Sequence, residues 1–595
     1  MLVRGVPALV AGALAGTLLL ASAFGSTGGS DLSGLRHASC PAPVRPTPLG
    51  APSEEEIHNA RVLHVFKLAS YPTRLVSPVD WLQDPNHSTR FRSALASLVW
   101  TDVLLYDYQH NHQLAALRQA RGLMLDWIRH QPFRGPHTSR NAWVTKVVGD
   151  RAVLLGYMTR AAACEHLLPR RAALAALRSL HAHANWLLRH RTSGNHDLFD
   201  SLGLLALGRD LAFSPRAREW RRIARRRFVD TFNRRVYRNE GLWLENSSAY
   251  QFLLTDLLRR FVPIAGRHHP DLAKLLGRME RVGGWLIEPD HRIVQFGESD
   301  MLSPGATYQR LADEDRGLLA LMASGLAVVK EPGSYLSVLA DFHNGTHKQS
   351  DDLSFDLFDG GHRIVSDTGE YQQDPGPIRN FVTAARAHST LTVDGRGFPR
   401  SGKFAYGSGL RATGAGDGWF AIEAVNPLLR RQGVVHTRFL LYKPGVALIV
   451  ADRVRSSANH SYDRYFQLGP DIDIASQGPQ QVQLQAPGLT GTLYSESNLG
   501  TETRLTARGQ SSPLAGWTAP TFRKFVPRWT LDLRSSAADA NYVTTISLDS
   551  SELHGHLGTI GNYRAAFDLT QGGQPAGAVS VTRSGKDLTV AQTGP

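Results

Sequence analysis

The sequence predicts two segregated domains, an all-α domain followed by a large antiparallel β domain. With 595 residues, the chain is too long for a single hydrophobic core. Apolar residues recur at helical spacing in its first half, whereas short alternating runs bounded by turn residues dominate after residue 330. A run of helices followed by a run of strands is typical of separate α and β domains.

The N-terminal residues 1–24 have the pattern of a secretory signal peptide. Arg4 precedes an apolar stretch from Val6 to Phe24, and small residues before the end of this stretch predict cleavage after Ala23. Because the stretch is almost long enough to span a bilayer, an uncleaved N-terminal membrane anchor is the competing interpretation. Under either interpretation we expect a secreted, periplasmic or cell-surface protein.

Residues 25–54 are rich in Gly, Ser and Pro, which predicts a flexible linker before the folded body. This segment contains Cys40, and Cys164 is the second of only two cysteines in the chain. In an oxidising compartment the two could form one disulfide that ties the tail to the first domain. Two free thiols agree equally well with the sequence, because the sequence alone does not establish that they are close.

The helical domain is predicted over residues 55–329 and the β domain over residues 330–595. Apolar residues at positions 114, 117, 124 and 128 follow the period of an amphipathic helix, and similar patterns repeat along the first domain. In the second domain, Leu391–Val393 precedes an Asp-Gly turn, and Val446–Val450 is a further β-branched run.

Three polar clusters stand out within otherwise apolar text: 194–197, 245–250 and 347–352. Breaking a uronate glycosidic bond by β-elimination requires a group that neutralises the carboxylate, a base and an acid. Asn, His and Tyr side chains suit these three tasks, and all three occur in the clusters. Nucleotide-binding loops and the common hydrolase and zinc motifs are absent from the sequence.

The series His347-Lys-Gln-Ser-Asp-Asp-Leu-Ser-Phe355, then Val365-Ser-Asp-Thr-Gly369, then Ala387-His-Ser-Thr-Leu-Thr-Val-Asp-Gly395 resembles the core of heparinase II/III-like polysaccharide lyases. Upstream, Asn195-His196 and Glu245-x-Ser-x-x-Tyr250 occur in the order that these lyases use for their catalytic groups. The resemblance covers about residues 140–455.

This resemblance implies an incomplete (α/α) toroid followed by a large antiparallel β-sandwich. It implies that Asn195 and His196 neutralise the uronate carboxylate, that Tyr250 is the general acid and that His347 is the general base. In a syn-elimination, Tyr250 would fill both proton-transfer roles and His347 would contact the carboxylate. Tyr371 is a further candidate for substrate binding in the same pocket.

A departure from the family pattern concerns a metal site. Where this chain has His347-Lys-Gln349, relatives commonly have His-x-His, and the second His joins an Asp and a later His around zinc. This chain has Gln349 at that place, while Asp367 and His388 remain as weak candidate ligands. Because a neutral amide is a poor zinc ligand compared with imidazole, we expect no metal and no other cofactor.

Two alternatives to a lyase stay open. Helical toroids also host glycoside hydrolases, for which Glu298, Asp300 and Glu245 could supply paired carboxylates. We favour instead a role for Glu298 in capping a loop or binding a sugar hydroxyl, and a substrate-binding or structural role for Glu245. A non-catalytic glycan-binding protein with the same fold is the second alternative, raised by Gln349.

The net charge of +14 favours polyanionic partners, namely nucleic acid, anionic lipid or acidic polysaccharide. Charge by itself does not choose among these. The resemblance selects an acidic, uronate-containing polysaccharide as the substrate and no nucleic acid. The sequence does not indicate an oligomeric state.

Overall fold

The structure is a computed structural model that describes residues 31–41, 52–265, 270–500 and 502–594. It divides into two compact units, Met1–Arg234 and Arg235–Pro595. The predicted signal peptide or anchor, residues 1–24, lies outside the described residues. Among the helices that the structure describes, none is long and apolar enough to cross a membrane.

In its described residues, the first unit contains helices and one short hairpin, β1 (Val65–Leu68) with β2 (Tyr71–Arg74). Helices α6 and α8 are buried on almost every side, whereas α5 and α7 each keep an exposed polar face. This alternation of inner and outer helices is that of a toroid built from helical pairs. The helices are α1 (31–37), α2 (Glu54–His58), α3 (Thr89–Ser97), α4 (Asp102–Asn111), α5 (Leu114–His130), α6 (Val147–Cys164), α7 (Arg170–Arg189), α8 (Asn195–Asp210) and α9 (Ala217–Arg235).

Two glycines let α6 and α8 approach each other closely. A Cβ atom on Gly149 would lie 2.5 Å from the carbonyl oxygen of Phe199, and one on Gly203 would lie 2.5 Å from the carbonyl oxygen of Gly149. Real Cβ atoms do not make such contacts, so any larger side chain here would push the helices apart. The close crossing fixes the position of the α8 N-terminus, where Asn195 and His196 lie.

Residues 31–41, within the segment predicted as a flexible linker, pack on the first unit. Helix α1 buries Leu32 and Leu35, and Asp31 is 2.6 Å from Nε2 of His181. A disulfide joins Cys40 to Cys164 at the end of α6, with a Cα–Cα distance of 5.4 Å. The structure thus selects the disulfide over the two free thiols.

The second unit begins with a two-stranded ribbon, β3 (Val236–Tyr237) with β4 (Leu242–Trp243). Three helices follow in the chain: α10 (Ser248–Ala265), α11 (Pro270–Trp285) and α12 (Ala306–Glu314). The remaining strands form three larger sheets and several short pairs. A short helix, α13 (Pro377–Val382), lies in the chain between β10 and β11.

The three larger sheets are antiparallel except for one parallel pair, β13 with β31. The five-stranded sheet has the order β10-β9-β7-β6-β5, the four-stranded sheet β11-β17-β26-β21, and the twelve-stranded sheet β18-β19-β20-β27-β16-β15-β14-β13-β31-β30-β29-β28. The strands are β5 (Gly317–Leu321), β6 (Leu326–Glu331), β7 (Ser334–Leu339), β8 (Asp341–Phe342), β9 (Phe355–Asp359), β10 (His362–Val365), β11 (Leu391–Val393), β12 (Gly407–Ser408), β13 (Leu410–Gly416), β14 (Trp419–Asn426), β15 (Val435–Lys443), β16 (Ala447–Arg455), β17 (His460–Gln467), β18 (Asp473–Gln477), β19 (Gln481–Ala486), β20 (Leu489–Ser497), β21 (Thr503–Arg508), β22 (Gln510–Ser511), β23 (Leu514–Ala515), β24 (Trp517–Thr521), β25 (Lys524–Pro527), β26 (Trp529–Ala537), β27 (Ala540–Ser547), β28 (Leu553–Ile560), β29 (Arg564–Gln571), β30 (Gln574–Ser584) and β31 (Asp587–Thr593).

The five-stranded sheet is buried on both faces. Successive side chains of a strand point to opposite faces of the sheet, so one strand can contribute to a core on each side. In β6, Ala327 and Val329 join the core between the sheets, whereas Leu326 and Val328 join a second core with α10, α11 and α12. The helix that carries Tyr250 is therefore packed directly on the β region. The boundary predicted at 329/330 falls inside β6, and α10 to α12 belong to the same compact unit as the sheets.

Candidate active site

Three loops of the second unit meet around His347. The side-chain amide of Asn246 donates to the carbonyl oxygens of Asn344 and Thr346, each at 2.8 Å. Gly297 lies so close to this loop that a Cβ atom would be 1.9 Å from the carbonyl oxygen of Asn246. Because Gly297 also has a φ of +52°, only glycine suits this crossing. The contacts join the loops before α10, after α11 and after β8.

His347 itself adopts a φ of +58°, in the left-handed region that most side chains avoid. The conformation costs about 1–2 kcal/mol for a non-glycine residue. The surrounding loops hold it, since the backbone N–H of Glu298 donates to the carbonyl oxygen of His347 at 3.4 Å. Such local strain is common at binding and catalytic sites.

Glu298 connects His347 to Arg379. Oε2 of Glu298 lies 2.9 Å from Nδ1 of His347, and its Oε1 atom pairs with the Arg379 guanidinium. Burial alone would raise the pKa of Glu298, but the hydrogen bond and charge of His347, together with the Arg379 charge, hold it below its ordinary value. Glu298 is therefore ionised at neutral pH and can only accept hydrogen bonds.

Tyr250 stacks on His347. Their ring centroids are 3.7 Å apart and the rings are inclined by 25°. Tyr250 lies in the first turn of α10, and its backbone N–H donates to Oγ of Ser247 at 3.4 Å, the usual contact of an N-terminal helix cap. Oε2 of the fully buried Glu245 is 3.9 Å from Nε2 of His347. The structure thus brings Tyr250, His347, Glu245 and Glu298 together.

A buried charge cluster anchors the chain directly after His347. Nζ of Lys348 is 2.5 Å from Oδ1 of Asp351 and 3.1 Å from Oδ2 of Asp352, and all three side chains are inaccessible to solvent. Burial alone would lower the pKa of Lys348, but the two aspartate charges outweigh burial and raise it. Tyr406 donates to Asp352, so the cluster ties this loop to a later segment. Removing one member of such a cluster would leave an uncompensated buried charge.

In the first unit, Asn195 and His196 form the first turn of α8. Asn195 is buried, whereas His196 is exposed and has Nδ1 3.0 Å from Oγ1 of Thr145. One turn later, Asp200 accepts from the backbone N–H of Lys146 at 2.9 Å. Burial raises the pKa of Asp200 to about 8, although the bond from Lys146 acts in the opposite direction.

The two candidate metal ligands, Asp367 and His388, are buried, and so is Gln349. His388 contacts Oδ1 of Asp367 through Nδ1, while Gln349 donates from Nε2 to the carbonyl oxygen of Gly369 at 3.1 Å. A buried guanidinium, that of Arg528, donates to the carbonyl oxygen of Asp367 at 3.1 Å. Among the described residues, no group of three or more His, Cys, Asp or Glu side chains could hold a metal ion. The donor set, a carboxylate bonded to an imidazole plus a neutral amide, does not fit a zinc site.

Tyr371 packs edge-on against Phe525, with ring centroids 5.6 Å apart. The backbone carbonyl of its neighbour Gln372 accepts from Arg379 at 2.7 Å. Sequence reasoning missed Arg379, because a single arginine in a short segment carries no local pattern that distinguishes it from a surface residue. It also did not anticipate the bond between Glu298 and His347, which are 49 residues apart.

Two family models match the chain. The model described as "Heparinase II/III N-terminus" matches residues 47–268, and the one described as "Heparinase II/III-like, C-terminal" matches residues 315–556. No relative was found among curated protein sequences.

Several solved structures share the fold. A heparinase III structure has a TM-score of 0.74 at 14% identity, with 95% of this chain and 97% of that chain covered. Heparinase III described as the BT4657 gene product has a TM-score of 0.71 at 16% identity, with 96% and 98% covered. A mutant of heparan sulfate lyase HepC from Pedobacter heparinus has a TM-score of 0.67 at 17% identity, with 97% of both chains covered.

These similarities and the fold define the class as a toroid-plus-sandwich protein of the polysaccharide lyase type. The predicted architecture, an α toroid followed by an antiparallel β-sandwich, is confirmed. The chain belongs to the heparinase II/III-like family of polysaccharide lyases, as the sequence motifs predicted.

Proposed function

We propose that this protein is an exported polysaccharide lyase that cleaves an acidic, uronate-containing glycan by β-elimination. The observation that carries the proposal is the stacking of Tyr250 on His347 at 3.7 Å, with Nδ1 of the same imidazole bonded to Glu298. This arrangement supplies a phenol and an imidazole, which can serve as the acid and the base that elimination needs, and a carboxylate that orients the imidazole. The similarity to structures of heparinase III and heparan sulfate lyase supports an acidic glycan.

The ionised Glu298 determines how His347 acts. Because the carboxylate only accepts, Nδ1 of His347 carries the proton that it donates to Glu298. Nε2, which lies 3.9 Å from Oε2 of Glu245, then carries no proton when the imidazole is neutral, and it serves as the base. When Nε2 is protonated, the imidazolium instead pairs with the uronate carboxylate. Both roles inferred from the family resemblance are compatible with this tautomer.

A base removes the proton from the carbon next to the uronate carboxylate, and the electron pair forms a carbon–carbon double bond. The bond from the neighbouring carbon to the glycosidic oxygen breaks, and that oxygen receives a proton from Tyr250. In an anti-elimination His347 is the base, and in a syn-elimination Tyr250 fills both roles. The family resemblance assigns the neutralisation of the carboxylate, which stabilises the enolate-like charge, to Asn195 and His196.

The electrostatics of Glu298 argue against the hydrolase alternative. A glycosidase acid must hold its proton near neutral pH, so its pKa is raised. The pKa of Glu298 is instead lowered, and its two oxygens are engaged by His347 and Arg379. Glu298 is better suited to orienting the imidazole than to protonating a leaving group.

We propose further that catalysis requires no metal. The support is the mismatch of Gln349, Asp367 and His388 with a zinc site, together with the buried cationic Arg528 beside Asp367. Exhaustive treatment with a chelator should leave the rate unchanged and release no stoichiometric zinc by elemental analysis. Loss of activity that added zinc restores would refute this.

Export is supported by the disulfide between Cys40 and Cys164, since structural disulfides persist in oxidising compartments. It agrees with the signal-like residues 1–24. N-terminal sequencing of the protein recovered from the culture medium, the periplasm and the membranes would test both localisation and cleavage after Ala23.

Activity is tested on a panel of uronate glycans by ultraviolet absorbance, because elimination leaves an unsaturated uronate and hydrolysis does not. On the glycan that is cleaved, Tyr250→Phe should lower kcat by at least about 10³-fold while the melting temperature stays near that of the wild type. Tyr563→Phe is the matched control, since Tyr563 is 66% exposed. Near wild-type activity of Tyr250→Phe would refute the assigned role. Reducing sugar without absorbance would indicate a hydrolase, and no turnover of any glycan would favour a binding protein.

A further inference from the structure

A cavity of about 390 Å³ lies in the second unit, next to the loop that carries His347. Its lining includes the buried Ser350 and Tyr465 and the exposed Asn380 and Arg386, so it extends from the surface into the interior. The chain itself connects it to the site described above, because Ser350 follows closely after His347. Asn380 follows Arg379 on α13, and the backbone N–H of Ser350 donates to the carbonyl oxygen of Thr383 at 3.1 Å.

Two arginines line the cavity, and none of its lining residues is acidic. Arg400 donates to the carbonyl oxygen of Lys348 at 3.4 Å, and Arg386 lies over the ring of Phe381 at 5.7 Å. Within the part of the chain that the structure describes, neither guanidinium makes an ion pair within 4.0 Å, unlike Arg379 with Glu298. The cavity is therefore lined with positive charge that no protein carboxylate neutralises by direct contact.

The environment of Arg400 reinforces this point. Burial lowers its pKa, the positive charge of Arg379 lowers it further, and Glu298 and Asp351 only partly compensate. An anion stabilises an arginine in such a place, because it replaces the lost hydration and offsets the repulsion from Arg379. Asn380 and Tyr465 add neutral hydrogen-bonding groups to the lining.

We propose that this cavity is a subsite for an anionic substituent of the glycan, a sulfate ester or a second carboxylate, on a sugar next to the cleaved bond. Arg386 and Arg400 bind the anion, and the volume is enough for one substituted sugar unit. This inference rests on the proposed lyase function and adds a selectivity for glycans with more than one anionic group. The subsite is distinct from the residues assigned to proton transfer.

The test compares the double variant Arg386→Gln/Arg400→Gln with the control Arg310→Gln/Arg281→Gln. The control removes the same charge at exposed arginines, which have 74% and 71% of their side chains accessible. Substrates are heparan sulfate, the same chain after chemical desulfation, and a uronate glycan with carboxylates only. Thermal melts verify that both variants fold.

We expect KM for heparan sulfate to rise by about tenfold or more in the double variant, with little change in kcat. The reason is that each lost hydrogen bond to a charged group weakens binding by about tenfold. A rise that disappears on the desulfated chain identifies sulfate as the ligand. An equal rise on all three glycans identifies a carboxylate. A KM equal to that of the control on every glycan, or a loss confined to kcat, overturns the proposal.

Direct binding separates this inference from the lyase proposal. Calorimetric titration of a sulfated oligosaccharide into Tyr250→Phe, with and without the two arginine substitutions, measures the subsite without turnover. Weaker binding by about tenfold in the combined variant supports the subsite even if no glycan is cleaved. Unchanged binding refutes it even if the lyase activity is confirmed.

Discussion

Replacing Glu298 with glutamine removes one charge but keeps the shape of the side chain. The substitution weakens the bond to Nδ1 of His347 at 2.9 Å and abolishes the ion pair with Arg379. Hydrogen bonds to charged groups contribute about 1.5–3 kcal/mol, and each 1.4 kcal/mol is a factor of ten in rate. We therefore expect kcat/KM to fall by about 10- to 100-fold on the glycan that the wild type cleaves.

The same substitution should change stability in a pH-dependent way. The pKa of Glu298 is lowered in the folded protein, so its stabilisation is fully present above the unfolded value of about 4.3. That stabilisation is lost as the pH falls through the folded value. We expect Glu298→Gln to lower the free energy of unfolding by about 1–3 kcal/mol at pH 7. The loss is smaller than for a fully buried ion pair, because the Arg379 side chain is 21% exposed and its charge stays partly hydrated.

The assays are initial rates by ultraviolet absorbance and urea unfolding at pH 7 and at acid pH. Glu314→Gln serves as the control. The Glu314 side chain is 62% accessible and lies 4.0 Å from Arg310, so this exposed ion pair contributes little to stability. A folded Glu298→Gln protein with the kcat/KM of the wild type would refute the orienting role. A stability difference that stays constant down to acid pH would refute the electrostatic reasoning.

Two further predictions concern the first unit. Burial raises the pKa of Asp200 to about 8, so its contribution to stability falls by about 1.4 kcal/mol per pH unit between about pH 4 and 8. The melting temperature of Asp200→Asn should therefore rise relative to that of the wild type as the pH rises through this window. Parallel melting profiles of the two proteins would contradict the assigned pKa. The disulfide closes a sequence separation of 124 residues, so Cys164→Ser should lower the free energy of unfolding by about 2–5 kcal/mol. A reducing agent should lower the wild type by the same amount and leave the variant unchanged, and an equal response of both would show that the disulfide is not the cause.

The sequence was a good guide to the order of elements and to the family. The change from a helical to an alternating apolar period is a local signal, and it predicted the α region, the β region and their order correctly. The clusters around Tyr250 and His347 were singled out as short polar stretches in apolar text, and their rings do stack. Their catalytic roles stay predictions.

Other features depended on contacts between distant residues. The sequence left a Cys40–Cys164 disulfide and two free thiols equally open, and its composition did not indicate that residues 31–37 would form a helix packed on the first unit. The boundary near residue 330 was read from the change of period, yet the helices before it share a core with β6. A period reports which face of an element is buried but not which neighbour buries it.

The sequence by itself thus determined the fold class, the family and the residue types available for chemistry, because these follow from local patterns and ordered motifs. Only the tertiary structure decided that Glu298 bonds to His347 and pairs with Arg379, and that Arg386 and Arg400 line one cavity. These groups come from segments tens of residues apart. The distances and charges that tune them exist only once the chain has folded.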